Sequence, residues 1–413
     1  MTSTDLHSST DQAASSRGVD CARAWVVVAS AFVAMFTVFG VAYSFGEFFG
    51  PMADEFGTSR SATAFFFSIT TFAYFVIGIF SGRIADRIGP RPVMIFGAVA
   101  MVVGLLLTAE VSSIQLGYLT YGLGVGFGVA CCFVPMVAAV GGWFDQRRTL
   151  ALGLAVAGIG TGTLVLVPII ERVIDANGWR DAYRVLAVIS GVLLAIAAMG
   201  AHRPPGSAAT PRPIREVISG RRDFWILYVS SLFISASLFM AFVFMADYID
   251  TTGASGSAAV LLGIIGMASI VGRLGLGALA GRLGILRLYQ LSFLGLALSF
   301  GVWIVADTSY ALLIAFAVVL GVAYGGIIAL SPAVVAQLFG TVGMGGVLGA
   351  LYTANGFGGL IGPPVMGKII DSSGHTAAQW TALASGLLGT ALLYRMNPQT
   401  ESSGVPTSGH LQT

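Results

Sequence analysis

Charge is scarce in this chain: only 10% of its 413 residues are charged, and a single one of them, Lys368, is a lysine. A soluble protein of this length would carry about a quarter charged residues, so an ordinary water-soluble domain is excluded. The net charge of +2 leaves no electrostatic footprint for nucleic acid or a strongly acidic partner. Cysteine is nearly absent: Cys21 stands near the N-terminus, and Cys131 and Cys132 lie in an apolar segment. No pair is placed for a disulfide framework. The four histidines, His7, His202, His375 and His410, read as tail or loop residues, which leaves none within a span to carry a proton. No Gly-x-x-x-x-Gly-Lys-Ser/Thr motif occurs, so ATP is not expected to supply energy, and neither a cofactor nor an enzymatic reaction is expected.

Apolar residues are abundant, at 56%, with 55 glycines that allow close helix approach. Hydropathy divides the chain into twelve apolar segments, at about 25–47, 61–82, 92–109, 114–140, 149–171, 182–201, 224–246, 258–281, 286–306, 309–334, 344–369 and 377–396. An all-α membrane protein of twelve spans is the fold these segments imply. With a cytoplasmic N-terminus, fifteen basic residues fall on the cytoplasmic side, five on the other, and the last of the 21 is Arg273. That asymmetry follows the positive-inside rule, and an even number of spans then places both termini in the cytoplasm of a cell (inner) membrane. Residues 1–22 and 397–413 read as polar tails. Residues 202–222 form a basic, Pro-rich linker between an N-terminal half, 23–201, and a C-terminal half, 223–396.

Arg273 interrupts the apolar stretch Ala258–Gly281, long enough to cross a bilayer. It lies eight residues from Gly281, roughly 12 Å along a helix, too deep for an easy reach to the headgroups. A snorkelling arginine is one reading. The other starts from the cost of an intramembrane charge, about 2.5–3.5 kcal/mol even on lenient scales, which is met when the side chain faces a cavity and pairs with an anion.

The halves repeat. A shift of 195 residues lays GRIADRIG (82–89) on GALAGRLG (277–284), and a shift of 196 lays Gly153, Gly160, Gly162 and Pro168 on Gly349, Gly356, Gly358 and Pro364. Two registers one residue apart point to a duplicated six-span unit. In the first register Arg273 falls opposite Gly78, so the repeat provides the scaffold and one half provides the charge.

The run Gly82-x-x-Ala-Asp86-Arg87-x-Gly89-x-Arg91 resembles the loop motif of the major facilitator superfamily between spans two and three. The resemblance implies two pseudo-symmetric six-helix halves, with Gly89 making a tight turn and Asp86 acting as a latch toward cationic groups and helix ends. In the second half Gly281 replaces the acid. A narrower resemblance begins at Trp143-Phe144 and runs through Arg147, Arg148 and Gly153 to Gly158; it is similar to the signature of the monocarboxylate transporter family entering span five. There the arginines anchor a helix end, and Gly153, Ala157 and Gly160 form a small-residue packing face. Tyr43-Ser-Phe-Gly-Glu47 and Ser59-Arg60-Ser61 are similar to that family as well. Two positions depart from it: Glu47 stands where animal members have a lysine, and Ser269 where they have an aspartate one turn before the arginine.

The resemblance implies that Arg273 binds substrate, with Tyr121 and Tyr324 as lining tyrosines and Ser269 and Ile328 one turn away from Arg273 and Tyr324. Asn355, the only amide within span eleven, and Tyr352 are further candidates. Arginine offers a fork of donors that holds a carboxylate bidentately but does not ferry a proton. Glu47 and Asp247, at the outer ends of spans one and seven, are therefore the candidate proton carriers. One fixed cation matches one carboxylate, because a dianion would leave a charge unpaired in a low-dielectric site. The expected function is a secondary transporter of small, lactate- or pyruvate-like monocarboxylates with a proton, rocking two halves about a midplane site and working as a single copy in the bilayer. An oxalate- or formate-like organic-anion exchanger without net proton movement is the alternative.

Overall fold

A computed structural model describes residues 21–144, 147–205, 221–339 and 344–396. Both tails, apart from residues 21–22, and most of the linker read at 202–222 lie outside the described residues. Ten described helices are long and apolar enough to cross a membrane: α1 (Ala22–Phe56), α2 (Arg60–Ile88), α3 (Pro90–Ala109), α4 (Ile114–Trp143), α5 (Arg148–Asn177), α6 (Trp179–Gly200), α7 (Arg222–Thr252), α8 (Ala258–Leu283), α9 (Ile285–Ala306) and α10 (Tyr310–Phe339). The last element, Met344–Leu393, breaks at Gly374, whose φ of 81° no continuing helix adopts, so it provides α11 before that glycine and α12 after it.

The twelve-span reading holds, and the duplication is visible in the backbone. The left-handed glycines that end helices fall in corresponding pairs: Gly57 with Gly253, Gly89 with Gly284, and Gly178 with Gly374, all with φ between 60° and 92°. The middle pair is 195 residues apart and the outer pairs 196, the same two registers read from the sequence. Gly89 makes the tight turn between α2 and α3, followed by Pro90 at the first helical position, where a missing N–H costs nothing. Several helices, among them α1, α2, α5 and α7, run past the ends read from hydropathy. After a short break at Ser44, α1 continues to Phe56 through Pro51, and α7 continues to Thr252, each closed by a left-handed glycine. Hydropathy alone ends a span at its first polar cluster, whereas the helices run on to the glycine caps.

The two halves meet through α2 against α11, α5 against α8, and α1 against α7. The small-residue face of α5 lies on this seam: a side chain at Gly160 would strike the backbone of Gly266 on α8, while Gly158 and Gly162 take up the backbone of α1. We call the face of the bundle where α1 begins and α12 ends the terminal face, and the opposite one the far face. The far face is sealed. Tyr43 stacks on Phe242 at 4.2 Å, Phe49 meets Phe244 at 5.2 Å and Phe67 meets Phe239 at 5.4 Å between ring centroids, each pair joining the two halves. Gly367 of α11 abuts the backbone of Arg60 and Ser61, where an added Cβ would lie 2.7 Å from the Ser61 nitrogen. Gly367→Val should therefore wedge the far face open by about 1–3 kcal/mol. An Phe244→Cys reporter between the halves should then react faster with an impermeant maleimide, and an unchanged rate would mean that this contact does not hold the far face shut.

Candidate functional site

Between the halves lies a cavity lined by residues of both. Its lining comes from the middle and terminal-face portions of the helices: Phe133 is ten residues from the Trp143 end of α4, Ser331 eight from the Phe339 end of α10, and Tyr289 four from the start of α9. With the far face sealed, the cavity is directed toward the terminal face.

Arg273 is not itself among the lining residues but stands beside one of them, Tyr324. The residue is 4% exposed, and its guanidinium carbon lies 5.8 Å from the centroid of the Tyr324 ring, which lines the cavity. Nη1 donates to the carbonyl of Val156 on α5. Nε and Nη2, which lie side by side on one edge of the guanidinium plane, are buried and have no hydrogen-bond partner, and no carboxylate pairs with this arginine among the described residues. One bond to the protein thus orients the group while leaving the edge suited to bidentate carboxylate binding. The Tyr324 hydroxyl hydrogen-bonds the Tyr43 hydroxyl across the halves at 2.9 Å, which ties the aromatic cover of Arg273 to the far-face seal.

Of the other residues singled out in the sequence, Tyr324, Ile328, Tyr352 and Asn355 line this cavity, with Asn355 Oδ1 accepting from Ser235 at 2.8 Å. Two stand elsewhere. Tyr121 falls in a π-helical turn, Tyr118–Leu123, and is packed among Phe45, Phe66 and Tyr183, with its hydroxyl donating to the Val41 carbonyl at 3.4 Å. Ser269 is buried in the α8–α10 contact and donates to the Gly266 carbonyl at 2.7 Å. Phe66 and Phe67 are buried in the core.

The two acidic candidates have different surroundings. Asp247 Oδ2 pairs with Arg60 Nε of the opposite half at 2.8 Å and with His375 Nε2 at 3.0 Å, and Arg60 Nη1 also approaches Asp371 at 3.4 Å. This clamp closes the far face. His375, read from the sequence as a loop residue, instead sits just after the Gly374 break at the start of α12: the kink residue resembles a loop in sequence, yet the following residues are helical. Glu47 lies in the far portion of α1 with Oε1 buried and unpartnered, near the charges of Glu171, Asp250 and Asp175.

At the terminal face, Asp86 is exposed and its side chain has no ion pair among the described residues; its carbonyl accepts from Arg203 Nη2 at 2.5 Å. Gly82 passes Val134 closely, Arg87 occupies the last turn of α2 where its charge suits the helix dipole, and Arg91 is exposed on α3. Arg147 precedes α5, and Arg148 Nε donates to the Phe144 carbonyl at 3.0 Å, while Gly153 passes Leu274 of α8.

The sequence gives no indication of the aromatic wall of Phe39, Tyr74 and Phe133, of the hydroxyls of Ser231, Tyr289 and Ser331, or of the pairing of Arg60 and His375 with Asp247. Of these residues Arg60 alone stands out, as the only cation at the start of span two.

The profile of the Major Facilitator Superfamily matches residues 28–308 and 276–412. Monocarboxylate transporter 3 of Rattus norvegicus is 31% identical over 367 residues, covering 84% of this chain and 74% of that protein. Monocarboxylate transporter 11 of Homo sapiens is 28% identical over 398 residues, covering 90% and 82%. A crystal structure of the nucleoside transporter NupG superposes with a TM-score of 0.71 at 14% identity, covering 90% of this chain and 98% of that one, a likeness of fold. Profile, relatives and architecture agree: this chain is an integral membrane transporter, not an enzyme, and it belongs to the major facilitator superfamily and, within it, to the monocarboxylate transporter family.

Proposed function

We propose that the protein carries monocarboxylates together with a proton by alternating access, in the cell (inner) membrane with both termini cytoplasmic and as a single copy. One observation carries this reading: a buried guanidinium beside the cavity-lining Tyr324 whose Nε and Nη2 edge has no acceptor. A charge without a counter-ion at mid-membrane depth is stabilised by an anion, and a carboxylate matches that edge in both charge and shape. The names of the relatives, monocarboxylate transporters of rat and human, support the same substrate class.

By this reading the conformation is inward-facing. The Arg60–Asp247 pair and the aromatic contacts close the outer side, and the Asp86 latch is disengaged on the inner side. A proton on Asp247 and its ion pair with Arg60 exclude each other, because a neutral carboxyl group offers the arginine no charge. Proton uptake at Asp247 therefore goes with an open outer gate, and re-forming the pair goes with release. Glu47, with no cationic partner among the described residues, is the second candidate carrier.

Uptake of labelled carboxylic acids into proteoliposomes, with and without an imposed inward proton gradient, tests the proposal. Gradient-driven accumulation is expected. Uptake that ignores the gradient would replace symport by exchange, and uptake of no carboxylate would remove the substrate class.

The latch gives a separate prediction. Asp86→Asn should leave this conformation intact and weaken only the outward-facing state, shifting the population inward by about 1–3 kcal/mol for lost charge-assisted bonds. Labelling of a cysteine near the cytoplasmic mouth should accelerate; an unchanged rate would make Asp86 a solvated turn residue.

A further inference from the structure

The cavity is polar at two places and apolar between them. Its upper pole is Tyr324, with the guanidinium of Arg273 over its ring. Its lower pole is a group of hydroxyls from the C-terminal half, those of Ser231, Tyr289, Ser331 and Tyr352, which line the cavity together. Tyr324, Ile328 and Ser331 fall at spacings of four and three on α10, so they share one helix face. The seven-residue separation places the two poles about 10 Å apart along the axis. Opposite them the N-terminal half presents a wall of rings, with Phe39 meeting Phe133 at 5.3 Å and Tyr74 at 6.0 Å.

A three-carbon acid fills about 100 Å³, the volume of three or four waters, and reaches only one of the two poles. A substrate that touches both poles must span about 10 Å, with its carboxylate at one end and a hydrogen-bonding group at the other. Resting on the monocarboxylate reading, we infer that the preferred substrate is an aryl-alkanoate bearing a ring hydroxyl remote from its carboxylate, of the 3-(4-hydroxyphenyl)propanoate class. The carboxylate occupies the free edge of Arg273, the ring lies against the aromatic wall beside Ile328, and the hydroxyl exchanges hydrogen bonds with Ser331 and Tyr289. The substrate thus keeps a single carboxylate and adds to it a ring and a remote hydroxyl.

Hydroxyl recognition is the specific part, because a site built to bond a hydroxyl penalises the analogue that lacks it. Half-saturation for 3-(4-hydroxyphenyl)propanoate, 3-phenylpropanoate and lactate should be measured in proteoliposomes for the parent protein and for Ser331→Ala combined with Tyr289→Phe. In the parent, the hydroxylated acid should half-saturate at a concentration about fivefold below its unsubstituted analogue, as one to two net hydrogen bonds would give, and further still below lactate. In the double variant the hydroxylated and unsubstituted acids should converge. That ratio is internal to each protein, so lower expression or reduced overall uptake does not obscure it. Lactate carried as well as, or better than, the aryl acids would overturn the inference while leaving monocarboxylate transport intact, and so would a fivefold ratio that survives the double substitution. Uptake of none of the three acids would remove both.

Discussion

Arg273→Gln should abolish carboxylate transport while leaving a folded, membrane-inserted protein. Without the cation an anion entering the cavity is uncompensated, a loss of at least about 3 kcal/mol, or more than a hundredfold in affinity. Arg273→Lys separates charge from shape. Lysine keeps the charge but loses the paired donors, and a single ammonium has to choose between the Val156 carbonyl and the substrate. Binding should weaken by about 1–3 kcal/mol, five- to 150-fold in half-saturation, with transport still measurable. A snorkelling arginine would behave otherwise: lysine would match the parent and glutamine would cost little. A Gln variant that saturates at the parental concentration would take Arg273 out of the site.

The second large effect concerns coupling. Asp247→Asn removes both a titratable group and the far-face clamp to Arg60 and His375. Counterflow exchange down a substrate gradient should persist, whereas uphill accumulation driven by a proton gradient should be lost. Arg60→Ala should also loosen the clamp but retain the carboxyl group, so its outward shift should come with residual coupling. Glu47→Gln tests the other candidate in the same assay. If a protein with both amides still concentrates substrate, neither carboxylate carries the proton, which would then travel on the acid itself or through water.

Much of this architecture was legible because membrane burial makes hydropathy and glycine position unusually informative. The repeat was readable from Gly89 and Gly284, and the backbone shows why: both must adopt a positive φ, so neither position tolerates a side chain easily. Arg273 stood out because a charge inside a span is costly. Residues whose meaning depends on helix rotation were harder to read. Tyr121 has the residue type of a lining group, yet the π-helical turn around it changes the register and turns the ring into the core. Ser231, Tyr289 and Ser331 carry no sequence signal, since serines and tyrosines are spread through the spans and only tertiary packing brings these three to one wall. His375 was hidden by the Gly374 kink, and its partner Asp247 lies 128 positions earlier, a separation no local pattern bridges.

The central claim is that a carboxylate occupies the free Nε and Nη2 edge of Arg273, and the most direct test compares an acid with its uncharged isostere. Thermal unfolding of the purified transporter should be followed with 3-(4-hydroxyphenyl)propanoate and with the corresponding carboxamide, in the parent and in Arg273→Gln. The account predicts that the acid raises the parent's unfolding temperature in a saturable manner, that the amide does so much less, and that the difference between them disappears in the variant. Equal stabilisation of the parent by acid and amide, or an acid-specific shift that survives in Arg273→Gln, would contradict it.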